Sequence, residues 1–139
     1  MADVTITAAS VAATSGATIA TGTLGATLTQ GQGVAIDTSD SNKLKAWDNT
    51  SSTLYKPAGI LLNAGSDGQP ADYVKIDATF TPGFTVTVGT VYCTSAAGGI
   101  APVDDNTTGD RVGLVGVGVS TTQIAVNFSA QSYSDTASA

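Results

Sequence analysis

Residues 111–128 decide the fold: Arg111-Val-Gly-Leu-Val-Gly-Val-Gly-Val119 is followed by Ser120-Thr-Thr122 and then by Gln123-Ile-Ala-Val-Asn-Phe128. Aliphatic, largely β-branched side chains dominate both apolar runs, and they favour a pleated, half-buried backbone. Small polar residues between two such runs are typical of a turn. The stretch therefore predicts a β-hairpin near the end of an all-β chain.

The composition of the whole chain agrees with that prediction. Its 139 residues are 42% hydrophobic and only 12% charged, and every acidic residue is Asp. Solvated helices use Glu, Lys, Arg and Leu, whereas Thr, Val, Ala and Gly dominate here. The length fits one domain with a single core. Its polar surface must come mostly from neutral side chains, which suits close packing against other proteins.

Further short apolar runs lie along the chain, separated by turns rich in Gly, Pro, Asp and Ser. They cover residues 34–36, 44–47, 58–62, 73–80, 84–88, 91–93 and 100–103. In the fifth run, Phe84, Val86 and Val88 alternate with threonines, which is typical of a strand. Turn signals recur about every 8–12 residues, the spacing of a β-sandwich or a small barrel. We therefore predict an all-β fold, a β-sandwich or small β-barrel, over residues 27–128.

The two ends of the chain differ from this domain. Residues 1–26 are rich in Thr, Ala, Ser and Gly, and Val4, Ile6, Val11 and Ile19 are most of their large aliphatic side chains. We predict an extended N-terminal arm that adds to a neighbour's sheet or runs along a partner's surface, with these four residues as its contacts. Residues 129–139 are rich in Ser and Ala and are predicted to be a flexible tail.

Charge and targeting signals limit the partners. The charge of the chain argues against nucleic acid and anionic membranes as partners. Its net charge is -6, and it has only five cations: Lys43, Lys45, Lys56, Lys75 and Arg111. The N-terminus lacks the basic and apolar segments of a secretory signal. No stretch approaches the roughly 20 apolar residues of a membrane helix. We expect synthesis in a cytoplasm.

Few residues offer catalytic or metal-binding chemistry. The chain has no His, and Cys93 is its only Cys, which we expect to be a buried, inert thiol. Asp37 with Asp40, or Asp104 with Asp105, are carboxylate pairs, but solvated loop positions are the favoured interpretation. Residues 37–42 resemble a calcium loop only superficially, because the central Gly and terminal Glu are missing. We therefore expect no catalytic residues, no metal and no cofactor, and predict that the protein is not an enzyme.

Two further patterns each have a structural and a functional interpretation. Gly113, Gly116 and Gly118 form a Gly-x-x-Gly-x-Gly series, but no helix follows it, so strand backbone is favoured over a phosphate-binding loop. Trp47 and Tyr55 are either a platform for stacking a sugar or members of the core or of a subunit contact. The second interpretation is favoured, and both are candidate capsid or subunit contacts.

Several stretches resemble a family of small bacteriophage head decoration proteins, also called capsid cement proteins. They are residues 30–34, Pro57-Ala-Gly-Ile-Leu-Leu62, Gly89-Thr-Val-Tyr-Cys-Thr-Ser-Ala-Ala-Gly-Gly-Ile-Ala-Pro102 and Gly109-Asp-Arg-Val-Gly-Leu-Val-Gly-Val-Gly-Val-Ser120. Together they span roughly residues 27–128. The resemblance implies a protein, commonly a homotrimer, that sits on the outer surface of the assembled head and bridges neighbouring major capsid proteins.

The sequence thus predicts a virion protein that stabilises the capsid and is made in the bacterial host. The first alternative is a receptor- or glycan-binding β module of a phage fibre or tail, since such modules share the same Gly-, Thr- and Ala-rich texture. The second is a polysaccharide hydrolase that uses two Asp carboxylates roughly 5–9.5 Å apart. The glycan-binding function requires Trp47 or Tyr55 to be exposed in a groove, and the hydrolase requires a cleft that joins two Asp carboxylates.

Overall fold

A computed structural model describes residues 3–51, 53–103, 111 and 113–128. Within these residues the chain forms nine β-strands and two single-turn 3-10 helices. The strands are β1 (Thr18–Thr23), β2 (Gly33–Asp37), β3 (Lys43–Ala46), β4 (Gly59–Leu61), β5 (Pro70–Phe80), β6 (Val91–Thr94), β7 (Ile100–Pro102), β8 (Leu114–Gly118) and β9 (Ile124–Asn127). The helical turns are Ala8–Ser10 and Ala96–Gly98.

The strands build one antiparallel sheet that curls into a half-barrel. Its order is β3-β2-β4-β5-β9-β8-β6-β7, and β1 pairs with β5 beside this path. The predicted hairpin of residues 111–128 is present as β8 and β9, with Gly116 opposite Val126 and Gly118 opposite Ile124. The all-β prediction is confirmed.

The turn between β6 and β7, at one end of the strand order, is hydrogen-bonded to residues beside β2 and β3, at the other end. Trp47 directly follows β3, and its carbonyl accepts a hydrogen bond of 2.7 Å from the Gly98 N–H. Its indole Nε1 donates to the carbonyl of Gly99, also at 2.7 Å. The side-chain amide of Gln32 donates to Ala97 O at 3.0 Å. These bonds link the β3 end of the sheet to the β7 end, so buried backbone groups of this turn find partners there.

The core consists of two clusters on the curled sheet. The larger contains Val11, Ala35, Trp47, Ile60, Val74, Phe80, Val86, Tyr92, Ile100, Val115, Ile124, Val126 and Phe128. The smaller contains Leu24, Leu28, Val34, Leu44, Leu61, Ala71 and Tyr73. Gly33 makes room for the largest core side chain, because a Cβ at this position would collide with the indole of Trp47.

The N-terminal segment lies along its own domain. Val4 N–H donates to Ile100 O at 2.9 Å, and Ala12 forms an antiparallel bridge with Thr81. The β1 strand then pairs with β5, and Leu24 bridges to Leu44 on β3. The described part of the predicted arm, residues 3–26, therefore has its contacts in this structure with the same chain. Whether the segment also binds a partner stays a prediction, and the predicted tail, residues 129–139, lies outside the described residues.

One predicted strand is wrong. Residues 84–88 are not part of the sheet, although Phe84, Val86 and Val88 alternate with threonines. Only Val86 is buried, and its N–H donates to Thr121 O in the turn before β9. The alternation of Phe84, Val86 and Val88 with threonines was therefore not sufficient to place these residues in the sheet. Among the described residues, no helix is long and apolar enough to span a membrane.

Candidate functional site

The four predicted arm contacts occupy different environments. Val11 is buried in the larger core cluster, and Val4 and Ile6 pack partly buried against it. Ile19 on β1 is different, because 47% of its surface is exposed. Of these four side chains, Ile19 has the most surface left for a partner.

Trp47 belongs to the core, and this corrects its assignment as a capsid or subunit contact. Its side chain is 0% exposed, and its ring lies 5.8 Å from that of Phe128, tilted by 44°. A side chain that is already covered by its own chain has no surface left for a sugar or a second protein. Trp47 instead fixes the turn at Gly98 and Gly99 against β3.

Tyr55 is half-buried in the wall of an open cavity of about 550 Å³, which we call the Tyr55 groove. The groove is lined by Ile36, Thr38, Thr53, Tyr55, Lys56, Pro57, Ala58, Tyr73, Lys75 and Phe128. Its volume falls within the roughly 300–1,000 Å³ of small-ligand sites. It is about twice the volume of a second cavity, of about 290 Å³, beside Thr5 and Phe84, and it is the candidate functional site.

The shortness of β4 creates this groove. β4 pairs with β2 only at Gly33 and Val34, and with β5 only at Tyr73 and Val74. β2 and β5 both continue past the point where β4 begins. The preceding residues, 53–58, run outside the sheet, so they form one wall of the groove, while β2 and β5 form others.

Three of the five cations of the chain gather at this groove. Lys56 and Lys75 line it, and the guanidinium carbon of Arg111 lies 5.2 Å from the centre of the Tyr55 ring. The Lys56 ammonium lies 5.8 Å from the same centre. Cations at these distances over an aromatic face are attracted by its negative quadrupole. The ten described lining residues include two lysines and no carboxylate.

Lys43 and Lys45 each form ion pairs with Asp. Lys43 Nζ lies 3.2 Å from Asp67, and Lys45 Nζ lies 2.8 Å from Asp37 and 3.1 Å from Asp40. Lys45, together with the hydroxyl and N–H of Ser39, lowers the pKa of Asp37 to about 2. The candidate pair Asp37 and Asp40 is therefore brought together around an ammonium group. The described residues contain no group of three or more His, Cys, Asp or Glu placed to hold a metal ion.

The remaining sequence candidates are structural or lie outside the described residues. Gly116 and Gly118 are strand residues, and a Cβ on either would collide with a carbonyl oxygen, that of Ala125 or of Thr87. This confirms the close-packed strand interpretation of the glycine series. Cys93 is 0% exposed, as expected of a buried thiol. Asp104 and Asp105 lie outside the described residues.

The described surface also carries several exposed aliphatic side chains: Ile19, Ile36, Val88, Val103, Val117 and Val119. Ile36 stands at the rim of the Tyr55 groove, and Ile19 lies on β1. Among the described strands β1 forms a ladder only with β5, so Thr18–Thr23 are an edge strand; directly after it, Leu24 bridges to Leu44 of β3. Exposed edge strands present unpaired backbone groups to other chains.

Sequence reasoning named Tyr55 but missed the rest of its surroundings. Tyr73, Lys75 and Phe128 come from strands far apart in sequence, and no local motif connects them with Tyr55. Burial raises the pKa of the Tyr73 phenol, so its hydroxyl stays protonated and able to donate a hydrogen bond. The sequence carried one indication of this site. The chain has only five cations, so several of them close together in the structure are unusual. Comparison of the chain with protein-family models and with curated protein sequences finds no match.

Proposed function

We propose that the protein is a decoration protein that binds the outer surface of an assembled bacteriophage head as a homotrimer and stabilises it. Its partner is the major capsid protein. The resemblance of residues 27–128 to head decoration proteins supports this proposal, as do the low charge content and the exposed side chain of Ile19 on an edge strand.

The observation that carries the proposal is the edge strand β1. Thr18 and Ile19 are exposed, and the described strands pair with β1 only through β5. A strand of a neighbouring capsid subunit can add to the open edge by backbone hydrogen bonds, with Ile19 supplying an apolar contact. In this proposal the contact role of the N-terminal segment belongs to β1.

The stabilising role needs binding and no covalent chemistry. A ligand that binds only the closed shell lowers the free energy of that state, and so raises the resistance of the shell to rupture. A homotrimer that contacts several sites gains from a high effective concentration once its first contact has formed. Modest affinity of each copy for its capsid site is therefore sufficient for the trimer to stay bound.

Binding of the full chain to undecorated heads, measured by co-sedimentation, tests the proposal. Ile19→Lys should weaken binding at least tenfold, because a lysine blunts an edge strand and removes the apolar contact. Val88→Lys makes the same change at a side chain that is 61% exposed outside the sheet, and serves as the matched control. Wild-type protein that stays in the supernatant at saturating concentration would refute the decoration function. Equal binding by both variants would remove β1 from the interface.

The glycan-binding alternative has less support. Trp47 is buried, Tyr73 and Phe128 are each only 7% exposed, and two cations lie over the Tyr55 ring. Sugars stack on exposed aromatic faces, whereas Trp47, Tyr73 and Phe128 are covered and the half-buried Tyr55 ring already has two cations close to it. A change in intrinsic fluorescence on glycan titration would favour this alternative.

A further inference from the structure

We propose that the protein self-associates through one uncharged face of its sheet. This face is formed by Val91, Val117, Val119 and Ala125, and we call it the β8 face. Its occupant is a second copy of the same chain. That the assembly is a trimer rests on the proposed function, whereas the position of the contact follows from the sheet and from the distribution of charge. The β8 face is a separate surface from the edge of β1.

The β8 face lies on the side of the terminal hairpin that points away from the core. Gly118 of β8 pairs with Ile124 of β9, which is buried in the larger core cluster. Gly116 pairs in the same way with the buried Val126. These two pairs therefore face the core. Because side chains alternate along a strand, Val117 between the two glycines projects from the opposite side, where 40% of its surface is exposed.

Three neighbouring strands contribute apolar side chains to this face. Val117 pairs with Val91 of β6 on one side and with Ala125 of β9 on the other. Directly paired residues project from the same side of an antiparallel sheet, so these three form a row. The Val119 N–H donates to Gln123 O at 3.0 Å, which extends the hairpin by one pair and puts the exposed Val119 beside Val117. Since β6, β8 and β9 are interior strands, a partner meets side chains here and no open backbone edge.

The strands that form this face carry no charge. Residues 78–103 and 112–128, which include β6, β7, β8 and β9, contain no Asp, Glu, Lys or Arg. In contrast, six of the eleven Asp and all four Lys lie within residues 37–77. The charges of the chain are therefore concentrated away from these strands in the sequence, and the β8 face is built from uncharged strands alone.

An uncharged face on an acidic chain suits a second copy of that chain. Two copies, each with a net charge of -6, repel one another, and the repulsion is smallest where neither brings a charge to the contact. A basic partner would instead gain its attraction at the segments that carry Asp. Burial of valine supplies the attraction between copies, and its stiff, β-branched side chain has little freedom to lose. Equivalent faces of the copies can meet around the axis of a closed oligomer.

Sedimentation equilibrium of the full chain tests this contact without any capsid. Wild type should form an oligomer, with three times the 13.7 kDa mass of the monomer if the proposed trimer is correct. The association should hold or strengthen as salt is added, because salt screens the repulsion between acidic copies. Protein that stays monomeric up to millimolar concentration would overturn the proposal. Association that weakens as salt rises would also overturn it, since that response indicates a contact made by ion pairs.

Two substitutions at equally exposed aliphatic residues then locate the contact. Val119→Lys and Ile19→Lys change side chains that are 46% and 47% exposed, and each lowers the net negative charge of the chain by the same amount. Val119→Lys should raise the dissociation constant of the oligomer at least roughly tenfold, because it puts an ammonium group into an apolar contact. Ile19→Lys should leave self-association within roughly twofold. Equal effects of the two variants would refute the β8 face.

Val117→Lys repeats the test within β8, and melting temperatures show that each variant is folded. Co-sedimentation with undecorated heads separates this proposal from the proposed function. Wild type that self-associates but does not bind heads would count against the decoration function and leave the β8 face standing. Wild type that binds heads but stays monomeric in solution would count against the β8 face alone.

Discussion

Thr14 donates two hydrogen bonds to the carboxylate of Asp77, from its N–H at 2.8 Å and from its hydroxyl at 2.7 Å. Asp77 lies on β5 and is only 4% exposed. Burial opposes its ionisation, but the two donors of Thr14 and the N–H of Thr79 outweigh this and lower its pKa. A buried carboxylate thus ties the N-terminal segment to the longest strand of the sheet.

Replacing that carboxylate should destabilise the domain. We expect Asp77→Asn to lower the free energy of unfolding by about 2 kcal/mol, because an amide nitrogen would face the donors of Thr14. Urea titration measures the change. Asp72→Asn is the control, since Asp72 is an exposed residue of β5 that also accepts a threonine hydroxyl, that of Thr21. Equal losses for the two variants would contradict the anchoring role of Asp77.

The Asp37–Lys45 pair predicts a specific loss of stability in acid. The folded-state pKa of Asp37, about 2, lies below its ordinary value of 3.8. Its contribution is therefore present above about pH 4 and is lost as the pH falls towards 2. Lys45 has a raised pKa, so its contribution is fully present below its ordinary value of 10.5 and is lost as the pH rises from there through the higher folded-state pKa.

Melting temperatures of wild type and Asp37→Asn, measured by circular dichroism in steps of pH, check this. The variant should melt below wild type at pH above 4, and the gap should close as the pH approaches 2. Asp67→Asn, which breaks the exposed Lys43 pair, should cost less at neutral pH. A gap for Asp37→Asn that stays constant down to pH 2 would argue against ionisation of Asp37 as its cause.

Close contact between β8 and β9 predicts that Gly116 tolerates no side chain. A Cβ would collide with the Ala125 carbonyl, so Gly116→Ala should cost about 1–3 kcal/mol or more of unfolding free energy. Gly16→Ala adds the same methyl group where no atom lies within 4 Å, and should change stability by less than about 0.5 kcal/mol. Chemical denaturation compares them, and a neutral Gly116→Ala would mean that the hairpin is less tightly packed.

Burial of Trp47 predicts the behaviour of the only tryptophan in the chain. Its emission should lie at the short wavelengths of an apolar environment and resist quenching by iodide. Because the indole has no exposed surface, glycan titration should leave the emission unchanged. Strong iodide quenching, or a saturable response to a glycan, would contradict the core position and revive the glycan-binding alternative.

Local pattern predicted much of the sheet. The hairpin of β8 and β9, the pair β6 and β7, and the strands within residues 34–36, 58–62 and 73–80 all follow from short apolar runs between turn residues. The strand predicted at residues 84–88 is absent from the sheet, because an alternating sequence does not show whether a neighbouring strand is available to pair with it. Val86 is covered, but its N–H bonds to a turn.

The candidate site was less predictable because it depends on contacts between distant segments. Tyr55 and Lys75 look unrelated in the sequence, and they line one groove because β4 is too short to fill the space between β2 and β5. The contacts of the N-terminal segment were also hard to predict. Its low apolar content suggested an arm, although Val11 is part of the core. Trp47 was assigned to either core or contact, and Gly33 decides for the core by leaving room for the indole.

Thermal rupture of undecorated heads with and without saturating protein is the most direct test of the proposed stabilising role. Release of packaged DNA, followed with an intercalating dye during heating, reports rupture of the shell. The decoration proposal predicts a higher rupture temperature for decorated heads, with a rise that saturates as binding saturates. Heads that carry a full complement of bound protein yet rupture at the temperature of bare heads would contradict it.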